Sequence, residues 1–280
     1  MMSLPQARRF DWSNLGVRAA SAAVLVPAVL GAVWFADLPG LRWLFLVLVA
    51  VAVALLAIEW GAMTAPKAPV RVSTALTVAI LAGAFLAFQG HMLLAWAAMV
   101  MGALASALVA RGVAERPPNA AFGVIYLAIP VICLVWLRGM PEGRQWTVLL
   151  LVVAWAADIA AFAVGSALKG PKLWPRFSPN KTWSGFIGGL AASAAAGAAM
   201  AAFSAIVLSV QAGALIGLLG GLATMGGDLW ESMLKRRFGV KDSGDLIPGH
   251  GGLLDRVDGL MFAVVVIAAA RLINHWGWAH

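Results

Sequence analysis

Apolar residues in this chain come in long unbroken blocks, not in the alternating or three-to-four spacing of a soluble fold. Runs such as Leu46–Ile58 and Val148–Ala157 are apolar on every side. A helix needs about 20 such residues to cross a hydrocarbon core of ~30 Å at ~1.5 Å per residue. That ruler predicts nine spans, near residues 19–36, 43–60, 74–89, 92–110, 121–137, 147–165, 183–209, 213–234 and 253–273. The third is the shortest, and the seventh is long enough to tilt or to carry an interfacial turn. Transmembrane strands would alternate apolar and polar positions, which these runs do not. The expected fold class is an all-α integral membrane protein, a polytopic helical bundle.

Composition agrees with lipid as the solvent. The chain is 62% hydrophobic and 11% charged, whereas soluble domains carry about 25% charged residues. The net charge of +8 raises the question of nucleic acid, and the placement of the charges answers it. With the N-terminus inside, the four basic residues Arg42, Arg138, Arg144 and Arg271 lie outside and the other sixteen of the 20 lie inside. This is the positive-inside pattern, with the C-terminus out. A membrane protein with no nucleic-acid partner is expected, and the same basic face would attract anionic lipid and nucleotide. Cys133 is the one cysteine and falls in the fifth span, which leaves no disulfide framework or cysteine metal cluster. The first twenty residues lack the short apolar run and cleavage site of a signal peptide, so the first span is expected to stay.

The chain divides functionally. Residues 1–150 hold about five spans with few ionisable groups and read as a membrane scaffold, with Glu59 at a span end beside Trp60. Residues 151–280 hold about four spans, and acids enter them from Asp158 to Asp258. A charge near the bilayer centre costs about 2.5–3.5 kcal/mol on insertion scales, so such residues face a partner or an aqueous cavity. Gly185, Gly189, Ser193 and Gly197 recur four apart, as do Gly217 and Gly221. Stripes like these let helices approach closely, within one chain or across a homodimer.

The densest chemistry lies in Glu231–Gly259, ESMLKRRFGVKDSGDLIPGHGGLLDRVDG. Asp228, Glu231 and Ser232 share a helical face by their spacing, and so do Asp255 and Asp258. Two spans thereby present carboxylates at similar depth, and Mg²⁺ commonly takes one or two carboxylates plus substrate phosphates. Between them come Lys235, Arg236, Arg237 and Lys241, then Asp242-Ser243-Gly244 and Pro248-Gly249-His250-Gly251-Gly252. Cations neutralise phosphates, and glycines let backbone N–H groups approach them. Upstream, Ser178, Lys181 and Thr182 near the start of the seventh span would offer hydroxyls, a cation and free N–H groups to a phosphate. Helix capping by the hydroxyl residues is the plainer alternative.

The order Ser232, Leu234-Lys235-Arg236, Lys241-Asp242, Gly244, Ile247-Pro248, His250-Gly251-Gly252, Asp255-Arg256-Val257-Asp258 resembles the signature of the phosphatidate cytidylyltransferases. The stretch Ser178-Pro-Asn-Lys181-Thr182-Trp183-Ser184-Gly185 is similar to a second run of that family. It departs at Asn180 and Ser184, and Phe162 stands where the family usually has tyrosine. The resemblance covers roughly residues 158–258.

It implies transfer of CMP from CTP to phosphatidate, giving CDP-diacylglycerol and pyrophosphate, at the cytoplasmic face of a bacterial inner membrane. It implies Mg²⁺ as cofactor, with a monovalent cation such as K⁺ beside it. Asp228 and Asp255 would bind metal, with Asp158 and Asp258 as further acidic partners. Lys181, Lys235, Arg236, Lys241 and Arg256 would hold phosphates, and Ser178, Thr182, Asp242, Gly251 and Gly252 complete the expected substrate-binding set. His250 would hydrogen-bond a phosphate or the nucleotide.

Two other functions share part of this pattern. A CDP-alcohol phosphotransferase would share Asp255-x-x-Asp258-Gly259, but it needs two further aspartates downstream, and no acidic residue follows Gly259. An ion-coupled transporter accounts for acids within spans. It leaves the Gly/Lys/His loop without a purpose.

Overall fold

The computed structural model describes residues 12–175, 178–204, 206–246 and 251–277. Its elements are α1 (Trp12–Phe35), α2 (Trp43–Thr64), α3 (Pro69–Phe88), α4 (Met92–Val109), α5 (Pro118–Gly139) and α6 (Gly143–Leu168). A short hairpin of β1 (Lys172–Trp174) and β2 (Ser178–Thr182) follows. Then come α7 (Trp183–Phe203), α8 (Val210–Arg237) and α9 (Leu254–Gly277). Among the described residues, eight helices are long and apolar enough to cross a membrane, and α1 contributes the apolar stretch Val26–Phe35. The helical, polytopic fold class expected from the apolar blocks is the one observed.

Local chemistry explains the helix ends. Pro69 and Pro118 open α3 and α5, where a missing N–H costs nothing and the fixed φ suits the first turn. Ser209 caps α8 by accepting from Ala212 N at 3.1 Å. The seventh span is shorter than its apolar run, because α7 stops at Phe203 and residues 206–209 are not helical. There the Ser204 hydroxyl donates to Met200 O at 2.5 Å. Ile206, Val207 and Leu208 continue the apolar composition through the break, so hydropathy cannot register it. At 28 residues, α8 extends about 42 Å. Its last turn, Lys235–Arg237, therefore stands at or beyond the membrane edge, where cations also favour the helix C-terminus.

Two cores hold the bundle. One gathers α2, α3, α4 and α5 around Trp60 and extends to Leu234 of α8 and Leu254 and Met261 of α9. The other joins the end of α5 to α6, α8 and α9 around Trp146, Leu150 and Ile267. Trp60 is fully buried, donates to Asn119 O at 3.0 Å, and meets Phe122, Tyr126 and Phe238 at 5.5–5.7 Å between ring centres. Cys133 is a free thiol packed against the second core.

The small-residue stripes act within the chain. The buried residues of α7 are Gly185, Gly189, Ser193 and Gly197, and they meet α6 and α8. A Cβ on Gly197 would press on the backbone of Gly213 and lie 2.8 Å from Gly217 Cα, and one on Gly185 would lie 2.6 Å from Ala161 O. Only hydrogen fits at such crossings, so dispersion between backbones replaces the hydrophobic drive that lipid does not supply. The other faces of α7, including Ile187 and Phe203, are left exposed by the protein.

Candidate active site

The hairpin β1–β2 is antiparallel, with Lys172 opposite Thr182 and Trp174 opposite Ser178. It closes against α7 through Trp183 N donating to Pro171 O at 3.0 Å. The stretch expected as a loop before the seventh span is thus strand up to Thr182, and α7 begins at Trp183, where the span was expected to start. Thr182 is the N-cap, accepting from Gly185 N at 3.2 Å. Its hydroxyl takes the capping role, and Lys181, one residue earlier, is aimed across at α8.

Between this hairpin and the ends of α6, α7, α8 and α9 lies a cavity of about 1070 Å³. Helical spacing delivers its polar wall. Asp228, Glu231, Ser232 and Lys235 fall on one face of α8 and line it, while Asp255, Arg256 and Asp258 line it from the first turns of α9. Asp158 enters from α6, and Lys169, Lys172 and Lys181 from the connection to α7. Among the described residues five carboxyl groups face five cationic side chains there, so the formal charges of those residues cancel.

The charges fall into two groups. Lys181 Nζ donates to Asp228 Oδ2 at 2.7 Å, and Asp228 stands within electrostatic reach of both Asp158 and Asp258. Asp258 Oδ1 accepts from Gly259 N at 2.8 Å. In the second group Lys235 pairs with Glu231 at 2.7 Å and also with Asp255. Asp255 Oδ2 accepts from Ser243 N at 3.2 Å. Asp228 and Asp255 therefore share one cavity, but each is held by its own lysine. Among the described residues no three His, Cys, Asp or Glu side chains form a ready-made metal cage. The donor set nevertheless suits Mg²⁺. It is all hard oxygen, and Glu231 Oε1 is buried with no hydrogen-bond partner. Mg²⁺ ordinarily completes its shell with water and phosphate oxygens.

The remaining expected residues are placed less centrally. Ser178 opens β2, and Arg236 is exposed, donating to Val240 O at 3.4 Å. Lys241 and Asp242 are exposed on the loop after α8. None of these four lines the cavity. Gly251 takes a left-handed φ of 82°, and a Cβ on Gly252 would collide with Ser243 Oγ and lie 3.1 Å from Glu59 Oε1. Gly252 is thus required by packing against the scaffold. His250 lies outside the described residues. Of the departures from the family run, Phe162 and Asn180 both line the cavity, and Ser184 Oγ accepts from Gly170 N at 3.3 Å.

One residue of the expected scaffold reaches this region. Glu59 of α2 is 2% exposed and accepts three hydrogen bonds from the segment that leads into α9. Its partners lie 184 to 195 residues away, so no local spacing identifies them. The available signal is that Glu59 is the one acid inside a predicted span of residues 1–150.

The family model described as "Cytidylyltransferase family" matches residues 16–273. A phosphatidate cytidylyltransferase of Pseudomonas aeruginosa is 36% identical over 275 residues, covering 93% of this chain and 98% of the relative. One from Brucella suis is 48% identical over 161 residues, 56% of each chain, and one from Staphylococcus aureus is 42% identical over 128 residues, 45% of this chain and 48% of the relative. The matched part thus spans about half the length of the Brucella and Staphylococcus relatives. With nearly the whole chain inside one family model and a full-length relative beside it, the chain belongs to the cytidylyltransferase family.

Proposed function

We propose that this protein transfers a cytidylyl group from CTP to phosphatidate, releasing pyrophosphate and leaving CDP-diacylglycerol in a bacterial inner membrane. The observation that carries the reading is the cavity where carboxyl groups of α6, α8 and α9 meet cations of the hairpin and α8 at the helix ends. A water-soluble triphosphate and a membrane-bound phosphate can both reach such a place. With the N-terminus inside, this end of the bundle faces the cytoplasm.

In the reaction a phosphate oxygen of phosphatidate forms a bond to the α-phosphorus of CTP. The bond from that phosphorus to the bridging oxygen breaks, and pyrophosphate leaves with the electron pair. No covalent bond to the protein is needed, so catalysis rests on positioning and charge. Lys181, Lys172 and Lys169 would hold phosphate oxygens from the hairpin side, and Lys235 and Arg256 from the α8–α9 side. The described residues of the cavity wall are formally neutral together, so they do not by themselves balance two polyanionic substrates. Asp228 and Asp255, with Asp158 and Asp258 nearby, would hold Mg²⁺. When bound, that ion supplies charge neutralisation and polarises the phosphoryl group under attack. The exposed Phe162 at the cavity edge would face the acyl region of the lipid.

The test is direct. Purified protein in detergent is incubated with phosphatidate, Mg²⁺ and CTP labelled at the α-phosphate. Label appearing in CDP-diacylglycerol, with equimolar pyrophosphate and dependence on both substrates, is the expected result. Consumption of CDP-diacylglycerol with an alcohol and release of CMP would overturn it.

A further inference from the structure

Glu59 is the one carboxyl group in the described helices α1–α5, and it packs next to the segment that leads into Asp255. Its Oε1 accepts from Leu253 N at 2.6 Å, and its Oε2 accepts from Leu254 N at 2.8 Å and from Ser243 Oγ at 3.2 Å. Leu254 is the first residue of α9, and Leu253 before it has an apolar side chain that cannot cap. The first N–H groups of a helix need acceptors, and a negative group is favoured there by the helix dipole. Glu59 supplies that acceptor from another helix. Ser243, the third donor, gives its backbone N–H to Asp255 Oδ2. The α2 carboxyl group thus grips the chain immediately before Asp255 and, through Ser243, a group that touches Asp255 itself.

The surroundings are built for this grip. A Cβ on Gly244 would lie 3.2 Å from Glu59 Cγ, and one on Gly252 would lie 3.1 Å from Glu59 Oε1. Trp60, the next residue, is locked among three rings, so the α2 end cannot easily shift. Burying a carboxyl group is costly unless its oxygens are satisfied. Three donors at one buried acid indicate that its place is structurally determined.

The geometry points to Glu59 as a positioning residue, which sets the orientation of Asp255 and the 243–254 segment from the scaffold half of the molecule. Glu59→Gln keeps the size but turns one acceptor oxygen into an N–H donor facing an N–H. Hydrogen exchange in the peptide 243–255 should speed up by on the order of 10-fold, the loss expected for a hydrogen bond to a charged group. Peptides from α3 and α7 should stay unchanged, which a general loss of folding would not allow. This arm does not depend on the reaction proposed above. The second arm rests on it: turnover should fall about 10-fold, half-saturation for Mg²⁺ should rise, and both effects should vanish in an Asp255→Asn background. Unchanged exchange in 243–255 overturns the inference, as does an equal loss of turnover in the Asp255→Asn background. If wild-type protein makes no CDP-diacylglycerol, the reaction is wrong and the exchange arm alone decides. If Glu59→Gln is not monodisperse, Ser243→Ala must show the same localised exchange, and its failure to do so overturns the inference equally.

Discussion

Replacing Asp228 by Asn keeps shape and one acceptor oxygen and removes one charge, which separates stability from chemistry at this position. The Lys181–Asp228 pair is 2.7 Å long, but its side chains remain 30% and 24% exposed. Pairs of that kind contribute about 0–1 kcal/mol, because water and salt screen them. Removing the charge also relieves its repulsion with Asp158 and Asp258, which offsets part of that loss. The folded state should therefore change by less than about 1 kcal/mol. If Asp228 holds Mg²⁺, turnover should fall by on the order of 10²-fold, about 2.7 kcal/mol of lost transition-state stabilisation. Asp255→Asn should cost a similar factor, and the double variant little more, since one missing ligand already spoils the site. Lys67→Ala, exposed between α2 and α3, serves as the control and should leave the rate unchanged. The assay is Mg²⁺-dependent formation of labelled CDP-diacylglycerol, with thermal unfolding measured in the same detergent. If both Asn variants keep turnover within about threefold of wild type at saturating Mg²⁺, these carboxyl groups are not metal ligands.

The two site lysines should differ in stability. Lys235→Met strips the partner from Glu231 and Asp255, whose side chains are only 2% and 13% exposed; it should destabilise by about 3–5 kcal/mol, whereas Lys181→Met should cost about 1 kcal/mol or less. Comparative unfolding midpoints read this, and equal shifts would refute it. At the α7–α8 crossing, Gly217→Leu would drive a side chain into Ser193 O and the Gly197 backbone. Loss of monodisperse protein is expected there, and a wild-type elution profile and unfolding midpoint would refute the close crossing. Lys241 is exposed on the loop after α8, so Lys241→Cys in a Cys133→Ala background should resist an impermeant thiol reagent in intact cells and react after permeabilisation. Labelling in intact cells would reverse the orientation.

Much of this protein is legible from one dimension, because lipid imposes local rules. A helix satisfies its own backbone hydrogen bonds, so apolar blocks alone mark the spans, and the helical period places Asp228 with Glu231 and Asp255 with Asp258. The Gly185–Gly197 stripe likewise announces a close crossing. Tertiary structure decided what those features meet. It set that stripe against Gly213 and Gly217 of the same chain, turned Ser178–Thr182 into a strand whose Thr182 caps α7, and paired Lys181 with Asp228 but Lys235 with Glu231 and Asp255. It also ended α7 at Phe203, where the apolar run continues. Most of all it brought Glu59 to Ser243, Leu253 and Leu254. Periodicity reaches only along one helix, whereas a buried carboxyl group takes its donors from wherever packing leaves N–H and O–H groups unsatisfied, and those lay on the far side of the chain.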